Sequence, residues 1–394
     1  MRGLVVEWAQ INSASHNLAG LSRLSSRLRD AFAPLGGEMS TLELPPCEVV
    51  DSRGNISSLS LGKALSIRKR PEASHRVFLG IHMDTVYGPD DPFQNVEQTD
   101  QHTLRGPGVV DAKGGLAVML VALEALERGT VAERMGWEVL INPDEELGSP
   151  GSTDALAERA RRNHLGLVFE PAFPDGALVA ERKGSGNFAA VVRGRAAHAG
   201  RDFDAGRNAI HAAAQFVVAG HRINGTIPDV TLNVGKIDGG GPANVVPDVA
   251  VVRLNARVAR HDDQHRVEEE LNRIAADVAA RNEVSVQMHG GFLSPPKRLD
   301  EPTRELCDRV SECGRELGLP LQWRNSGGVS DGNKLADAGL PVVDTMGPRG
   351  GNLHSPHEYL VLDSLTERAK LTALLLLKLA AGEIPWPAER STDQ

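Results

Sequence analysis

Three short apolar runs, each closed by ionisable residues, constrain this chain more than any other feature of its sequence. Residues 77–81 lead into His82. Residues 137–141 lead through Asn142 and Pro143 into Asp144, Glu145 and Glu146, and residues 165–169 lead into Glu170. Runs this short, apolar at neighbouring as well as alternate positions, suit strands buried on both faces of a sheet. Between the first two, residues 115–126 are apolar on nearly all sides, as in a helix packed against such a sheet. Strands alternating with helices predict an α/β layer architecture. Acids and an imidazole at the C-terminal ends of the strands stand where open α/β sheets place their sites.

A chain of 394 residues is long enough for two domains, and its middle reads differently from its ends. Near the start, Leu18, Leu21, Leu24, Leu28 and Phe32 recur at three and four residues, a helical stripe. In the middle, residues 188–192 read as a strand, 208–218 as a helix, 231–234 as a strand and 249–258 as a longer alternating strand. Val267, Leu271, Ile274 and Val278 then mark a helix, and 284–288 a last strand. That order, β-α-β-β-α-β, is the ferredoxin-like split unit. It predicts a domain of residues 183–292 inserted into an α/β domain of residues 1–182 and 293–394. The α/β pattern resumes with residues 335–343 and a closing helix over 365–381, and the polar tail from Pro385 reads as a frayed end.

Composition excludes several function classes. Hydrophobic residues make up 41% of the chain, enough for a sizeable core. A net charge of −9 leaves no broad basic footprint for nucleic acid or for anionic membranes. No stretch reaches the roughly 18 apolar residues of a membrane span, and the N-terminus lacks a signal-like apolar run. Cys47, Cys307 and Cys313, without CxxC spacing, predict free thiols rather than a disulfide framework. The expected setting is the cytoplasm.

The strand-end residues carry the chemistry. His82 and Asp84, two apart on extended chain, face the same side; they read as a metal ligand with its orienting carboxylate or as a buried histidine bonded to a local aspartate. Asp111 precedes a helix and serves either as an N-cap or as a ligand. The glycines after it match neither the phosphate-loop nor the dinucleotide fingerprint. Asp144, Glu145 and Glu146 repel one another at the end of a buried strand; a bound cation relieves that repulsion, and a solvated loop is the other reading. Glu170 is again an acid at a strand end. A glycine-bearing loop over 347–352 leads to His354 and His357, and spacing does not choose between them. Mixed imidazole and carboxylate ligands suit zinc, with cobalt or manganese as substitutes.

Taken in order, these segments resemble the M20 metallopeptidase family, the group of glutamate carboxypeptidases, acetylornithine deacetylases and aminoacylases. The resemblance rests on His82-Met83-Asp84-Thr85-Val86-Tyr87, Asp111-Ala112-Lys113-Gly114-Gly115, Asp144-Glu145-Glu146-Leu147-Gly148-Ser149, Phe169-Glu170-Pro171, Ala197-His198-Ala199-Gly200, Asn244-Val245-Val246-Pro247 and His354-Ser355. The first of these is most like the bacterial glutamate carboxypeptidase branch. The resemblance implies a zinc-exopeptidase-like catalytic α/β domain with an inserted lid and dimerisation domain. It implies two Zn2+ ions (or Co2+ or Mn2+), with Asp111 bridging them, His82 and Glu170 completing one site, and Glu146 and His354 the other. Asp84 would orient His82 and Glu145 would act as general base. His198, assisted by Asn244, would reach the active site of the other subunit of a homodimer. Arg257 occupies the position that reads a substrate carboxylate in many members, and a surface salt bridge is its other reading.

Some positions depart from the family pattern. Ala112 stands where many members have a second aspartate, and the family likeness implies a cis peptide between Asp111 and Ala112. The glutamate carboxypeptidase branch has an arginine where this chain has Asn325, with Arg324 one residue earlier. Arg349, in the loop before His354, either lines the substrate pocket or faces solvent. The implied activity is hydrolysis of an amide bond in a small N-acyl amino acid or peptide with a free carboxylate. The alternatives are hydrolysis of another small amide or carbamoyl compound and, from a different class, a catalytically silent metal-binding dimer protein.

Overall fold

A computed structural model describes residues 1–387 of the chain. Its central layer is a six-stranded mixed sheet in the order Glu38–Leu42, Ala64–Lys69, Gly136–Asn142, Arg76–His82, Leu165–Val168, Val342–Val343. The last four run parallel, and the first two are added antiparallel at one edge. All three apolar runs are therefore strands, at the heart of one sheet.

Their composition follows from burial on both faces. Val77, Leu79, Ile81, Val139, Ile141, Leu165 and Leu167 point into the larger core, against the helices Leu18–Phe32, Gly115–Arg128 and Leu362–Ala381. Their alternates Phe78, Leu140 and Val168 point the other way, onto Leu156 and Ala160 of Thr153–Arg162 and Leu335 and Ala336 of Asp331–Asp337. Because successive side chains alternate across a strand, a sheet covered twice needs apolar residues at both parities.

The inserted segment builds a separate core. Its four antiparallel strands lie in the order Thr231–Gly239, Val249–Val258, Gly184–Arg193, Ser285–Ser294, with Ala209–His221 and His261–Asn282 packed on one face. Element order and strand order are those of a ferredoxin-like split unit. Along Gly184–Arg193, Phe188, Ala190 and Val192 face these helices. The opposite face carries Ala189 and Val191, and it is covered by a hairpin that the sequence reading did not anticipate, Cys47–Val50 paired with Ile56–Leu59. Val50 packs on that small core. Arg253 donates to Val50 O at 2.6 Å and Arg193 to Gly54 O at 2.7 Å. Gly54 has φ +73°, and a Cβ there would stand 2.5 Å from Val191 Cγ1, so the hairpin tip requires glycine.

Cys47, Cys307 and Cys313 are free, and no described helix is long and apolar enough to cross a membrane. The tail is more ordered at its start than its composition implies: Trp386 stacks on His75 with ring centroids 4.8 Å apart. The rest of the expected frayed end, residues 388–394, lies outside the described residues.

Candidate active site

The site grows from the C-terminal ends of the three apolar strands. His82 ends Arg76–His82 and is buried. Its Nδ1 lies 3.1 Å from the backbone oxygen of Asp84 and 3.3 Å from Asp84 Oδ1. Its Nε2 lies 3.0 Å from Asp111 Oδ1 and 3.9 Å from Glu170 Oε1. Across Asp111, Oδ2 is 3.4 Å from His354 Nε2, which is in turn 3.2 Å from Glu146 Oε2. Asp111 thus has one imidazole at each carboxylate oxygen. Each imidazole has a further carboxylate beside it, Glu170 for His82 and Glu146 for His354. The Asp111–Ala112 peptide is cis.

Asp84 ties this cluster together. Its Oδ1 accepts the Glu145 N–H at 3.2 Å, and its Oδ2 accepts the Glu146 N–H at 3.1 Å and the Ser15 hydroxyl at 2.7 Å. One buried carboxylate therefore fixes both His82 and the turn Glu145–Leu147. The three adjacent acids separate here. Asp144 turns back to accept the N–H groups of Gly151 at 2.8 Å and Ser152 at 3.1 Å, together with the Ser152 hydroxyl. Glu145 and Glu146 line the cleft instead. Ligand atoms of His82, Glu145 and Glu170 lie within 4.8 Å of one another, as do those of His82, Asp111 and Glu146.

Proton affinities follow from this crowding. Burial, then the charge of Glu170, pushes the Glu145 carboxyl well above the usual range, and burial raises Glu146 too. Burial pushes Glu170 up to about 8. Asp111 moves the other way: burial opposes ionisation, but hydrogen bonds from His354 and His82 pull it below the usual carboxylate range. Hydrogen bonds to Asp111 and Glu146 lift His354 to about 11. Burial works to lower His82, yet the charges of Glu170 and Asp111 outweigh it. Glu170 Oε1 is buried and has no hydrogen-bond partner among the described residues. A buried carboxylate oxygen left this way is costly unless a cation meets it. Two imidazoles against Asp84, Asp111, Glu145, Glu146 and Glu170 form a donor set that fits metal ions taking nitrogen and oxygen ligands.

Beside these groups opens a cleft of about 840 Å³ whose roof is the inserted sheet, represented by Ser185, Asn187, Asn255 and Arg257. Arg257 donates from Nε to Asn255 Oδ1 at 2.9 Å and from Nη1 to Gly327 O at 3.3 Å. No carboxylate pairs with it among the described residues, and burial alone lowers its proton affinity. It is a cleft residue and not half of a surface salt bridge. Arg349 is not among the residues lining the cleft; it is partly exposed and pairs with Glu367 at 2.9 Å. Asn325 donates to Glu181 at 2.9 Å and Arg324 pairs with Asp175, and neither lines the cleft. His198 and Asn244 lie side by side but elsewhere. His198 is exposed on Ala197–His198, which pairs with Val245–Val246, and the Asn244 carbonyl accepts the Ala199 N–H at 2.9 Å. Neither lines the cleft of its own chain.

The profile of peptidase family M20/M25/M40 matches residues 78–378, a span holding His82, Asp84, Asp111, Glu145, Glu146, Glu170 and His354. The chain belongs to this family. It is 28% identical over 352 residues to carboxypeptidase G2 of a Pseudomonas species, covering 88% of this chain and 84% of that one. It is 31% identical over 321 residues to the succinyl-diaminopimelate desuccinylase of Pseudomonas syringae pv. tomato, covering 76% and 81%. The fold matches the crystal structure of the Bacillus subtilis YXEP protein, described as a dinuclear metal binding peptidase from the M20 family, with a TM-score of 0.63 at 15% identity over 96% and 97% of the two chains. The M20 chain described here is accordingly a hydrolase of the peptidase and amidohydrolase type.

Sequence reasoning missed three supports of this M20 site. Glu358 is buried. Its Oε1 accepts the N–H groups of Val110 at 3.0 Å and Asp111 at 3.1 Å, and its Oε2 accepts Gly108 N–H at 3.1 Å and the Tyr87 hydroxyl at 2.9 Å. It holds the Asp111 loop in place, and burial raises it to about 7. Lys113 is buried, donating to Met83 O at 2.7 Å and Ser13 Oγ at 2.8 Å, with burial lowering it to about 8. Arg182 lines the cleft while bound to Asp344 at 2.8 Å. The only advance signal was position: Glu358 follows His354 by four residues, and Lys113 follows Asp111 by two.

Proposed function

We propose that the chain is a dizinc-dependent hydrolase of an amide bond in a small N-acyl amino acid or peptide carrying a free carboxylate. The observation that carries this reading is Asp111, with one imidazole at each oxygen and a further carboxylate beside each imidazole. In this reading His82, Asp111 and Glu170 hold one ion and His354, Asp111 and Glu146 the other. The ions supply Lewis acidity and a water of lowered pKa. Asp84 orients His82 and holds the Glu145–Glu146 turn. Glu145, raised in proton affinity and close to His82 and Glu170, takes the proton of the attacking water and passes it to the leaving nitrogen. Arg257, unpaired in the cleft roof, receives the substrate carboxylate.

The inserted segment, residues 183–292, is in this reading a lid and dimerisation domain on a catalytic domain of residues 1–182 and 293–394. Ile210 and Val218 on Ala209–His221 and Ile237 on Thr231–Gly239 are large exposed hydrophobics, which suits a helix-and-strand contact with a second copy. Such a contact gives His198 and Asn244 a cleft to serve, the partner's. Free thiols fit a cytoplasmic enzyme.

Glu145→Gln tests the mechanism. Turnover of N-acyl amino acids or dipeptides falls by about a thousandfold or more while bound metal is unchanged; unchanged activity would sink the assignment. Mixing His198→Ala with Glu145→Gln chains tests the dimer. Each variant alone is weak, but a mixed pair contains one complete site, so activity recovers to about a quarter of wild type. No recovery contradicts the cross-subunit role.

A further inference from the structure

The lid face above the cleft is a ladder of cross-strand pairs that continues past the reacting groups. Between Gly184–Arg193 and Val249–Val258, Ser185 stands opposite Arg257, Asn187 opposite Asn255, Ala189 opposite Arg253 and Val191 opposite Val251. These alternate positions share one face, and successive rungs are about 7 Å apart. The first two rungs roof the cleft. The third opens onto a second cavity of about 860 Å³, bounded by the hairpin Cys47–Val50 with Ile56–Leu59 on one side and by the lid sheet on the other. Two residues belong to both cavities, Asn187 and Leu147. Leu147 immediately follows Glu146, so the second cavity begins where the reacting groups end.

The acids around this cavity have cationic neighbours, although Asp238 Oδ2 is buried without a hydrogen bond. Asp238 lies 2.9 Å from Lys236 and 3.6 Å from Arg253, Arg253 also donates to Val50 O at 2.6 Å, and Glu48 lies 3.4 Å from His289. Beside Asn187 and His16, the wall offers apolar surface from Leu147 and Ala189, with Val49 and Leu293 exposed to 36% and 40%. Isolated exposed leucines are ordinary, but these two share the wall of one cavity next to a catalytic turn.

We infer that this cavity is the subsite for the acyl half of the substrate and takes an aliphatic or aromatic acyl group longer than the cleft itself accommodates. The inference rests on the hydrolase reading above. With the carboxylate at the Arg257 rung, the scissile carbonyl lies under the Asn187–Asn255 rung, beside Glu145 and Glu146. A straight continuation carries the acyl group over Leu147 to Ala189 and Leu293. An acetyl group stops at the middle rung; a medium-chain or arylalkanoyl group reaches the third and buries its carbons there.

The test is a series of N-acetyl, N-butanoyl, N-hexanoyl and N-octanoyl derivatives of one amino acid, assayed with the zinc-loaded full-length protein. Over the lengths that reach the third rung, kcat/KM rises by about three- to fourfold per methylene. Leu293→Asp and Ala189→Phe each flatten that rise and leave the acetyl rate unchanged. Calorimetric affinities of the same compounds for Glu145→Gln protein follow the same length dependence. Tightening of binding with length, without any hydrolysis by the wild type, supports the subsite and overturns the hydrolase reading. A length-independent kcat/KM and affinity, or a rise that survives both variants, overturns the subsite.

Discussion

Two clusters of buried charge lie close together in this protein, and they are built on opposite principles. Around Asp344, which is fully buried, one oxygen meets Arg182 Nε at 2.8 Å, Lys297 Nζ at 3.2 Å and the Ser330 hydroxyl at 3.2 Å. Burial works to raise Asp344, but the charges of Arg182 and Lys297 outweigh it and hold the carboxyl below its usual value. Around Asp111 the acids outnumber the bases. Glu145, Glu146 and Glu170 are all raised by burial. Each cluster keeps one buried carboxylate oxygen without a hydrogen-bond partner among the described residues, Glu170 Oε1 here and Asp344 Oδ1 in the other, so the difference lies in the balance of charge. The first cluster carries its own cations and pins strand to loop. The second has a surplus of negative charge that a bound cation would offset, which is the ground for proposing it as the site.

The comparison breaks most visibly at Asp344. Asp344→Asn strands Arg182 and Lys297 without a counter-charge, so the protein loses about 3–5 kcal/mol in a denaturant titration. Metal content per folded chain is expected to be unchanged. A stability change below 1 kcal/mol would mean that this cluster is not the self-sufficient one.

The pH dependence of the metal-free protein separates the clusters by sign. Glu170 rises from an ordinary 4.5 to about 8 in the folded state, so the folded protein holds more protons than the unfolded one between those values. Its contribution is complete below the lower value and is lost as pH rises toward 8. Asp344, held below its ordinary 3.8, contributes stability above that value and loses it as pH falls. Urea midpoints of metal-free protein should therefore decline as pH rises from about 4.5 to about 8, and added zinc should flatten that decline while leaving the fall below pH 3.8 unchanged. A slope over that range that zinc does not alter would contradict the assignment of Glu170 to the metal site.

The smallest expected effect is Glu145→Gln on metal-free stability. Removing one of several repelling acids raises the unfolding free energy by on the order of 1 kcal/mol near neutral pH. A loss of similar size would show that Glu145 is anchored by contacts other than its neighbours' charges.

The sheet and the clustering of the strand-end groups were legible because their signals are local. Residues 77–81, 137–141 and 165–169 are apolar at both parities because the sheet is covered on both faces, and their ends bring His82 together with Glu145, Glu146 and Glu170. The middle segment was legible from the alternation of Val249–Val258 and the helical stripe ending at Val278. The missed features depend on partners far away in the chain. Glu358 accepts from Asp111 across 247 positions, and Arg182 meets Asp344 across 162. Arg349 was left between pocket and solvent because Glu367, which holds it away from the cleft, lies on a different element. Asp144 was grouped with its two neighbours because sequence shows three like charges and not the backbone turn that aims one of them at Gly151 and Ser152. The hairpin Cys47–Val50 with Ile56–Leu59 has two short strands whose purpose appears only against the lid face that it covers.

The central claim is that Asp111 joins two metal ions in one centre, and metal stoichiometry tests it most directly. Elemental analysis of purified wild-type protein, with calorimetric zinc titration of the metal-free form, should give two ions per chain, and Asp111→Asn should disrupt both sites while the fold persists. A wild-type chain that binds fewer than two ions, or an Asp111→Asn chain that keeps both at wild-type affinity, would contradict the account.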